Sequence, residues 1–172
     1  MKKLVLIICL MFSINISASL IDDANKQYKK RNYKQAHKLF TEACNGRDAI
    51  ACYKLGDLYA NGRGVKKDSK KSIEYYSKSC NNHFTKGCLT LGDLYTKGNG
   101  VKKDFREARQ YYTKACRDKD AEACLNLGIL YSNGQGVRQN KSTAKEFFGK
   151  ACDNGHEDGC KKYKVLNEAG IK

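Results

Sequence analysis

A unit of 36 residues recurs along this chain without insertion or deletion, and residues 68–103 form one complete copy. When the sequence is shifted by one period, cysteines, leucines, glycines and tyrosines fall into register. They are Cys44, Cys80, Cys116 and Cys152; Cys52, Cys88, Cys124 and Cys160; Leu55, Leu91 and Leu127; Gly56, Gly92 and Gly128; and Tyr59, Tyr95 and Tyr131. Such a period is typical of a solenoid, in which stacked units bury a core that no unit could close alone. Solenoids usually present binding surfaces and only rarely carry catalysis.

The first half of each copy has the apolar spacing of an amphipathic helix. Ser72, Tyr75, Tyr76 and Ser79 are spaced i, i+3, i+4 and i+7, which places them on one face. The same small–large–large–small order recurs at Ala108, Tyr111, Tyr112 and Ala115, and at Ala144, Phe147, Phe148 and Ala151. Asp68, Asp104 and Asn140 stand where an N-cap belongs.

The second half of each copy predicts another helix, which contains a glycine. Glycine lowers helix propensity, so we expect Gly56, Gly92 and Gly128 to let a neighbouring helix approach closely. The pairs 62/64, 98/100 and 134/136 follow this helix, and glycine there can take the positive φ of a helix C-terminus. Each copy therefore predicts a helix–turn–helix unit, and the chain an all-α fold.

These residues resemble a known repeat. Leu-Gly-x-Leu-Tyr, then x-x-Gly-x-Gly-Val-x-x-Asp, then Ala-x-x-Tyr-Tyr-x-Lys-Ala is similar to the Sel-one-like repeat, a relative of the tetratricopeptide repeat. A cysteine that ends one helix, with another eight positions later, resembles the secreted Helicobacter cysteine-rich protein family. The resemblance extends from about Asn32 to the last residue and implies an α/α solenoid of disulfide-stapled repeats. Tyr or Phe stands where the general repeat often has Trp, and Ile129 replaces the aspartate found at Asp57 and Asp93.

The register divides the chain into segments. Residues 22–47 predict an N-terminal capping hairpin, three full repeats follow at 48–83, 84–119 and 120–155, and residues 156–172 predict a C-terminal capping helix. The last segment loses the repeat's glycine and tyrosine, which become Lys164 and Asn167. Polar substitutions of this kind suit a terminal repeat.

The N-terminal 19 residues have the layout of a signal peptide. Lys2 and Lys3 precede an apolar run at residues 4–12, which is too short for a permanent membrane span, and small polar residues follow. Cleavage after Ala18 or Ser19 predicts a periplasmic or secreted protein. The sequence around Cys9 does not suit a lipoprotein, because Ile8 stands where a small residue is required. Removing the segment lowers the formal net charge from +15 to +13, since two of the 33 basic and none of the 18 acidic residues are lost, and it leaves eight of nine cysteines.

An even number of cysteines behind an export signal indicates disulfides. Cys52, Cys80 and Cys88 all lie at the same end of the helices that carry them, so proximity leaves both Cys80–Cys88 and Cys52–Cys80 open. The longer pairing leaves Cys44 and Cys160 without partners, whereas the local pairing uses all eight cysteines. The predicted pairs are Cys44–Cys52, Cys80–Cys88, Cys116–Cys124 and Cys152–Cys160. No metal site or cofactor is predicted, because a spacing of eight is not a zinc knuckle and His37, His83 and His156 share no motif.

The resemblance also implies penicillin binding and weak β-lactamase activity. Serine β-lactamases use Ser-x-x-Lys with a downstream Ser/Tyr-x-Asn and Lys-Thr-Gly. Ser142 and Lys145 match the first motif, and Tyr131 and Asn133 the second. However, the order is reversed, Lys-Thr-Gly is absent, and Tyr131 and Asn133 are ordinary repeat positions. The catalytic residues of any hydrolase activity are therefore not identified by the sequence.

The variable positions on the second helices predict a ligand groove, because related repeats line their concave wall with these helices. The candidate groove residues are Tyr53, Lys54, Asp57, Thr90, Asp93, Asn126 and Ile129, with Leu89 and Leu125 beside them. A mixed polar and aliphatic groove suits a peptide-like ligand, although an ordinary solvated face explains the same pattern equally well.

The excess of positive charge lies in the turns, at Lys66, Lys67, Lys102, Lys103 and Arg138, and favours acidic partners such as cell-envelope polymers, anionic lipid head groups or host proteins. A solvated edge that favours solubility is the alternative. Nucleic acid is not expected as a partner, because no aromatic stacking platform is evident. The sequence therefore predicts an exported, monomeric scaffold that binds protein, peptide or cell-wall fragments; a weak β-lactamase is the alternative.

Overall fold

The computed structural model describes residues 20–172, so the predicted signal peptide and Cys9 lie outside the described residues. These residues form helices without strands, in two compact units that divide between Phe84 and Thr85. The N-terminal unit contains α1 (residues 20–29), α2 (Tyr33–Asn45), α3 (Ala49–Asn61) and α4 (Ser69–Asn81). The C-terminal unit contains α5 (Thr85–Lys97), α6 (Phe105–Arg117), α7 (Ala121–Asn133), α8 (Lys141–Asp153) and α9 (Glu157–Glu168). Within residues 20–172, every helix is too short or too polar to cross a membrane.

The predicted N-caps open α4, α6 and α8. The Asp68 carboxylate accepts a hydrogen bond from the Lys71 amide at 3.0 Å, and the Asp104 carboxylate accepts from the Arg106 amide at 2.8 Å. The Asn140 side-chain oxygen accepts from the Thr143 amide at 3.0 Å. Each bond satisfies one of the free amides in the first helical turn. The three N-cap predictions are confirmed.

The loops after α3 and α7 depend on glycine, as predicted. Gly62 and Gly134 end these helices with φ of +66° and +68°, in the left-handed region that side chains disfavour. A Cβ atom on Gly64 would come within 2.5 Å of the Tyr33 backbone carbon. One residue of each pair therefore reverses the chain, and the second lets the loop lie directly on a neighbouring helix.

The core of each helical hairpin is built on one leucine and one glycine. Leu55, Leu91 and Leu127 are fully buried. The aromatic rings of Tyr76, Tyr112 and Phe148 lie against Gly56, Gly92 and Gly128, where a Cβ would approach a ring carbon to 2.4–2.5 Å. The prediction of close helix approach is confirmed, and the group that occupies the space is an aromatic ring.

Disulfides join consecutive helices within each unit. Cys44–Cys52 links α2 to α3, Cys116–Cys124 links α6 to α7, and Cys152–Cys160 links α8 to α9, with Cα–Cα distances of 4.8, 4.8 and 4.5 Å. Cys80 and Cys88 are disulfide-bonded as well. The Cys44–Cys52 and Cys116–Cys124 bridges are buried, whereas Cys152 and Cys160 are both partly exposed.

Helix α9 closes the C-terminal unit with a smaller buried face than the helices before it. Gly159 is its one buried residue, and a Cβ there would lie 2.7 Å from the Cβ of Ala151. Tyr163 and Val165 are 38% and 63% exposed. The helix therefore leaves apolar side chains accessible beside α7 and α8, both of which it contacts.

Candidate functional site

In the N-terminal unit, the three predicted groove residues of α3 are half-buried and make contacts within the unit. The Tyr53 ring lies 5.3 Å from the Tyr76 ring, centroid to centroid, and the Lys54 ammonium lies 5.4 Å from the centre of the Tyr28 ring. The Asp57 carboxylate accepts a hydrogen bond from the Tyr76 hydroxyl at 2.8 Å. Burial raises the pKa of Tyr76 above its ordinary value, and the charge and hydrogen bond of Asp57 raise it further. Asp57 therefore supports the helix pair as well as bordering the predicted groove.

In α5 the equivalent aspartate has the same role. The Tyr112 hydroxyl donates to the Asp93 carboxylate at 2.7 Å and lies 3.2 Å from the Thr96 hydroxyl oxygen. Burial is the main reason why the pKa of Tyr112 is raised; the bond to Asp93 adds to this effect, and the bond to Thr96 opposes it. Thr90, one turn before Asp93, is half-buried.

In α7 the polar pair is absent. Ile129 replaces the aspartate, and the ring that lies on Gly128 belongs to Phe148, which has no hydroxyl. Asn126 and Ile129 are half-buried, and Leu125 is 8% exposed. The sequence departure at Ile129 is therefore matched by a second departure on α8, and the two together remove a partly buried hydrogen bond.

A cavity of about 290 Å³ lies at the end of α7, between α8 and α9. It is lined by Ser132, Phe148, Lys161, Lys162, Val165 and Leu166. Lys161, Lys162 and Val165 stand one period beyond Leu125, Asn126 and Ile129. The groove prediction stopped at α7 and missed these residues, although a further shift of 36 would have identified them.

Stacked aromatic pairs occupy the ends of the helical hairpins. Tyr59 stacks on Tyr75, Tyr95 on Tyr111, and Tyr131 on Phe147, with centroid distances of 5.5, 5.7 and 5.5 Å. Lys78, Lys114 and Lys150 lie over the second ring of each pair. Burial raises the pKa of Tyr95. Tyr131 is thus part of the repeated packing, which explains its match to the hydrolase motif without catalysis.

The Ser-x-x-Lys motif lies in the first turns of α8, with both side chains turned to the last residues of the chain. The Ser142 hydroxyl donates to the Lys172 carbonyl, and the Lys145 ammonium donates to the Ile171 carbonyl at 2.6 Å. Lys145 also lies 5.6 Å from the centre of the Tyr163 ring. The Ser142 hydroxyl thus donates to a backbone oxygen rather than to the Lys145 nitrogen, whereas a serine activated by a base would donate to that base. This arrangement does not favour a nucleophilic serine.

The histidines lie in separate environments. The His37 Nε2 atom is 3.1 Å from the Tyr59 hydroxyl oxygen, and burial, with the nearby Lys71 charge, lowers the pKa of His37. His83 is exposed in a turn with φ of +64°, and His156 precedes α9 without capping it through its side chain. Within residues 20–172, no group of three or more His, Cys, Asp and Glu side chains could hold a metal ion.

The basic turn residues are exposed in both units, namely Lys66, Lys67, Lys102, Lys103 and Arg138. Lys103 lies 4.6 Å from the centre of the Phe105 ring. The positive charges of these turns are therefore accessible to solvent.

Comparison with known families matches most of this chain to one repeat. The model of the Sel1 repeat matches residues 27–48, 49–84, 86–120 and 121–156. Among curated proteins, HcpE of Helicobacter pylori, whose name provisionally describes a beta-lactamase, is 35% identical over 73 residues. That alignment covers 38% of this chain and 21% of HcpE, so this chain spans about a fifth of that protein.

Three solved structures are similar in fold. Cysteine-rich protein B (HcpB) of Helicobacter pylori shares 38% identity and a TM-score of 0.59, over 75% of this chain and 92% of HcpB. A Sel1 repeat protein of Oxalobacter formigenes shares 26% identity and a TM-score of 0.80, over 88% of this chain and 62% of its own length. A protective antigen of uropathogenic Escherichia coli shares 26% identity and a TM-score of 0.83, over 92% of this chain and 35% of the antigen. The expected all-α solenoid class and the resemblance to the Helicobacter cysteine-rich proteins are confirmed.

Proposed function

Because this chain belongs to the Sel1 repeat family, we propose that it is an exported scaffold that binds peptides, including peptide-like fragments of the cell wall. The observation that carries this proposal is the cavity at α9, which extends the variable face of α7 by one period. In the C-terminal unit α7 contacts both α5 and α9, which supports a surface shared by the variable residues of these second helices. Repeat arrays use such surfaces to bind extended partners.

The residues of this surface suit a peptide better than a small polar ligand. Thr90, Asp93 and Asn126 offer hydrogen-bonding side chains, whereas Ile129 and Val165 offer apolar contacts. A peptide presents both kinds of group along an extended backbone. In the N-terminal unit, Tyr53 and Lys54 offer a comparable mixture.

Export is part of this proposal and rests on the layout of residues 1–19 together with the disulfides. Disulfides persist in oxidising compartments such as the periplasm or the extracellular space. The exposed lysines of the turns favour acidic partners there. We propose that the protein acts as a monomer, with the turn lysines as a secondary attraction.

A β-lactam hydrolase is the second candidate, and the name of HcpE favours it. A penicillin resembles the acylated end of a cell-wall peptide, so a surface that binds such a peptide could also bind the drug without turnover. The contacts of Ser142 and Lys145 with carbonyls of the last residues favour binding over hydrolysis.

Turnover of a chromogenic cephalosporin by purified, oxidised protein separates the two candidates. The matched variant is Ser142→Ala, which removes an exposed hydroxyl and leaves the core intact. We expect loss of at most one equivalent of drug by both proteins. Multiple turnovers that disappear in the variant would identify a serine hydrolase instead, and turnover that persists would place an active site elsewhere.

A further inference from the structure

The cavity at α9 combines an apolar wall with a cationic rim. Phe148, Val165 and Leu166 form the apolar part, and Lys161 and Lys162 supply the positive charge. With about 290 Å³, the cavity is at the lower limit of small-molecule pockets, so it suits one side chain rather than a large ligand.

The lysines of α9 differ in their partners. The Lys161 ammonium lies 2.7 Å from the Glu157 carboxylate and 3.7 Å from that of Asp158. Lys164 lies 3.8 Å from the Glu168 carboxylate. Across the described residues 20–172, Lys162 forms no ion pair; its ammonium lies 5.8 Å from the centre of the Phe148 ring, on the cavity wall. The cation without a carboxylate partner is therefore the one beside the apolar wall.

Ile129 stands where the preceding repeats have an aspartate, so α7 lacks a negative charge one turn before Ser132 of the cavity. In α5 the Asp93 carboxylate accepts a hydrogen bond from the hydroxyl of Tyr112, whose ring lies on the helix glycine. In α7 the corresponding ring is that of Phe148, and Ile129 stands at the aspartate position. An aspartate at 129 would stand beside Phe148 and repel an anionic ligand. Its replacement leaves Lys162 as a cation next to an apolar surface.

We propose that this cavity binds the C-terminal residue of a peptide, with its aliphatic side chain against Phe148, Val165 and Leu166 and its carboxylate against Lys162. A C-terminal residue carries both groups on one Cα atom, and the 5.8 Å between the Lys162 ammonium and the Phe148 ring requires such proximity. This assignment rests on the proposed peptide-binding function and names the ligand class for its C-terminal end.

The test uses the oxidised protein labelled with ¹⁵N and three short acetylated peptides. The probe acetyl-Gly-Ser-Gly-Leu has a free carboxylate, its amide lacks the charge, and acetyl-Gly-Ser-Gly-Ser lacks the apolar side chain. We expect the probe to shift the amide resonances of Val165 and Leu166, and both control peptides to bind more weakly. Because the ion pair between Lys162 and the probe would be solvent-exposed, we expect Lys162→Gln to raise the dissociation constant of the probe about threefold to fivefold.

Lys164→Gln is the matched control, since it removes an exposed lysine of the same helix whose partner is Glu168. We expect it to bind the probe as the unmodified protein does. Val165→Asp places a carboxylate on the cavity wall at a 63% exposed position. We expect this variant to bind the probe and its amide with equal affinity.

The outcomes distinguish this inference from the proposed function. Equal effects of Lys162→Gln and Lys164→Gln, or shifts confined to α3 or α5, would overturn the C-terminal site while peptide binding stands. Shifts of α9 that depend on protein concentration rather than on peptide would identify a second copy as the occupant and also overturn it. No shift with any peptide would contradict both.

Discussion

Two hairpins of the C-terminal unit, α5–α6 and α7–α8, share one plan and differ in the pair of residues that packs at the helix glycine. Each has a buried leucine, Leu91 or Leu127, and each places an aromatic ring on a helix glycine. In the first hairpin that ring belongs to Tyr112, which donates to Asp93. In the second it belongs to Phe148, and Ile129 stands at the position of the aspartate.

Between these two hairpins both members of the partly buried polar pair change together. A tyrosine without the aspartate would bury a hydroxyl with one partner fewer, and an aspartate without the tyrosine would lose its donor. Both residues are apolar in the hairpin that borders the cavity and both polar in the other. The residues at positions 93 and 112, or 129 and 148, therefore change the polarity of the hairpin, while the packing of a ring on the helix glycine stays constant.

The largest effect is expected from Phe148→Ala, because it removes a ring that is 3% exposed. We expect the free energy of unfolding to fall by about 3–5 kcal/mol, as for other buried aromatic truncations. Urea unfolding of the oxidised protein, followed by circular dichroism, measures it. Val165→Ala on the exposed side of the cavity is the control, with an expected change below about 0.5 kcal/mol. A loss no greater than that of the control would show that Phe148 does not hold the hairpin together.

The helix glycines test whether the two hairpins share one packing constraint. A Cβ at Gly92 or Gly128 would lie 2.4 or 2.5 Å from the ring above it. We expect Gly92→Ala and Gly128→Ala each to destabilise the fold by about 1–3 kcal/mol, since the ring must move. Gly149→Ala is the matched control in α8, because its Cβ would meet Tyr163 only at 3.3 Å. That variant should be neutral or gain up to about 1 kcal/mol from helix propensity; equal losses at all three glycines would contradict the model of a ring seated on glycine.

The polar pair can be tested by exchange between the hairpins. Tyr112→Phe leaves the partly buried Asp93 without its donor and should cost about 1–2 kcal/mol in unfolding free energy. Asp93→Ile together with Tyr112→Phe reproduces the pair at Ile129 and Phe148 and should recover most of that loss. A double-mutant cycle from urea unfolding measures the coupling. Additive losses would show that the two residues do not act as a pair.

The sequence predicted the backbone plan because the repeat displays its constraints many times. Asp68 and its equivalents identified the helix starts, and Gly62 and Gly134 the helix ends, since N-caps and positive φ values require few residue types. The glycine of the second helix was also interpreted correctly as a site of close approach. Local rules are sufficient where one residue determines the geometry.

The candidate surface was predicted less completely, because it depends on pairs of residues from different helices. The departure at Ile129 was evident in the sequence, but the sequence did not show that Phe148 takes the place of the tyrosine whose hydroxyl binds the aspartate in α5. Asp57 and Asp93 were predicted as outward groove residues, whereas each also accepts a hydrogen bond from a tyrosine of the next helix. Lys162 was missed because the groove was taken to end with the last full repeat.

The smallest expected effect is a difference in alkaline stability between the two kinds of hairpin. Burial raises the pKa of Tyr112, so the unfolded chain loses the hydroxyl proton near its ordinary value of about 10 while the folded hairpin keeps it. The stabilisation from this neutral hydroxyl is complete below about pH 10 and is lost as pH rises through the folded pKa. Tyr112→Phe has no proton to lose, so its unfolding free energy should fall less steeply from about pH 10 to 12 than that of the unmodified protein. Lysines and the remaining tyrosines titrate in both proteins and cancel in the difference. Parallel pH curves would show that the Tyr112 hydroxyl titrates equally in both states, so that its burial does not raise its pKa.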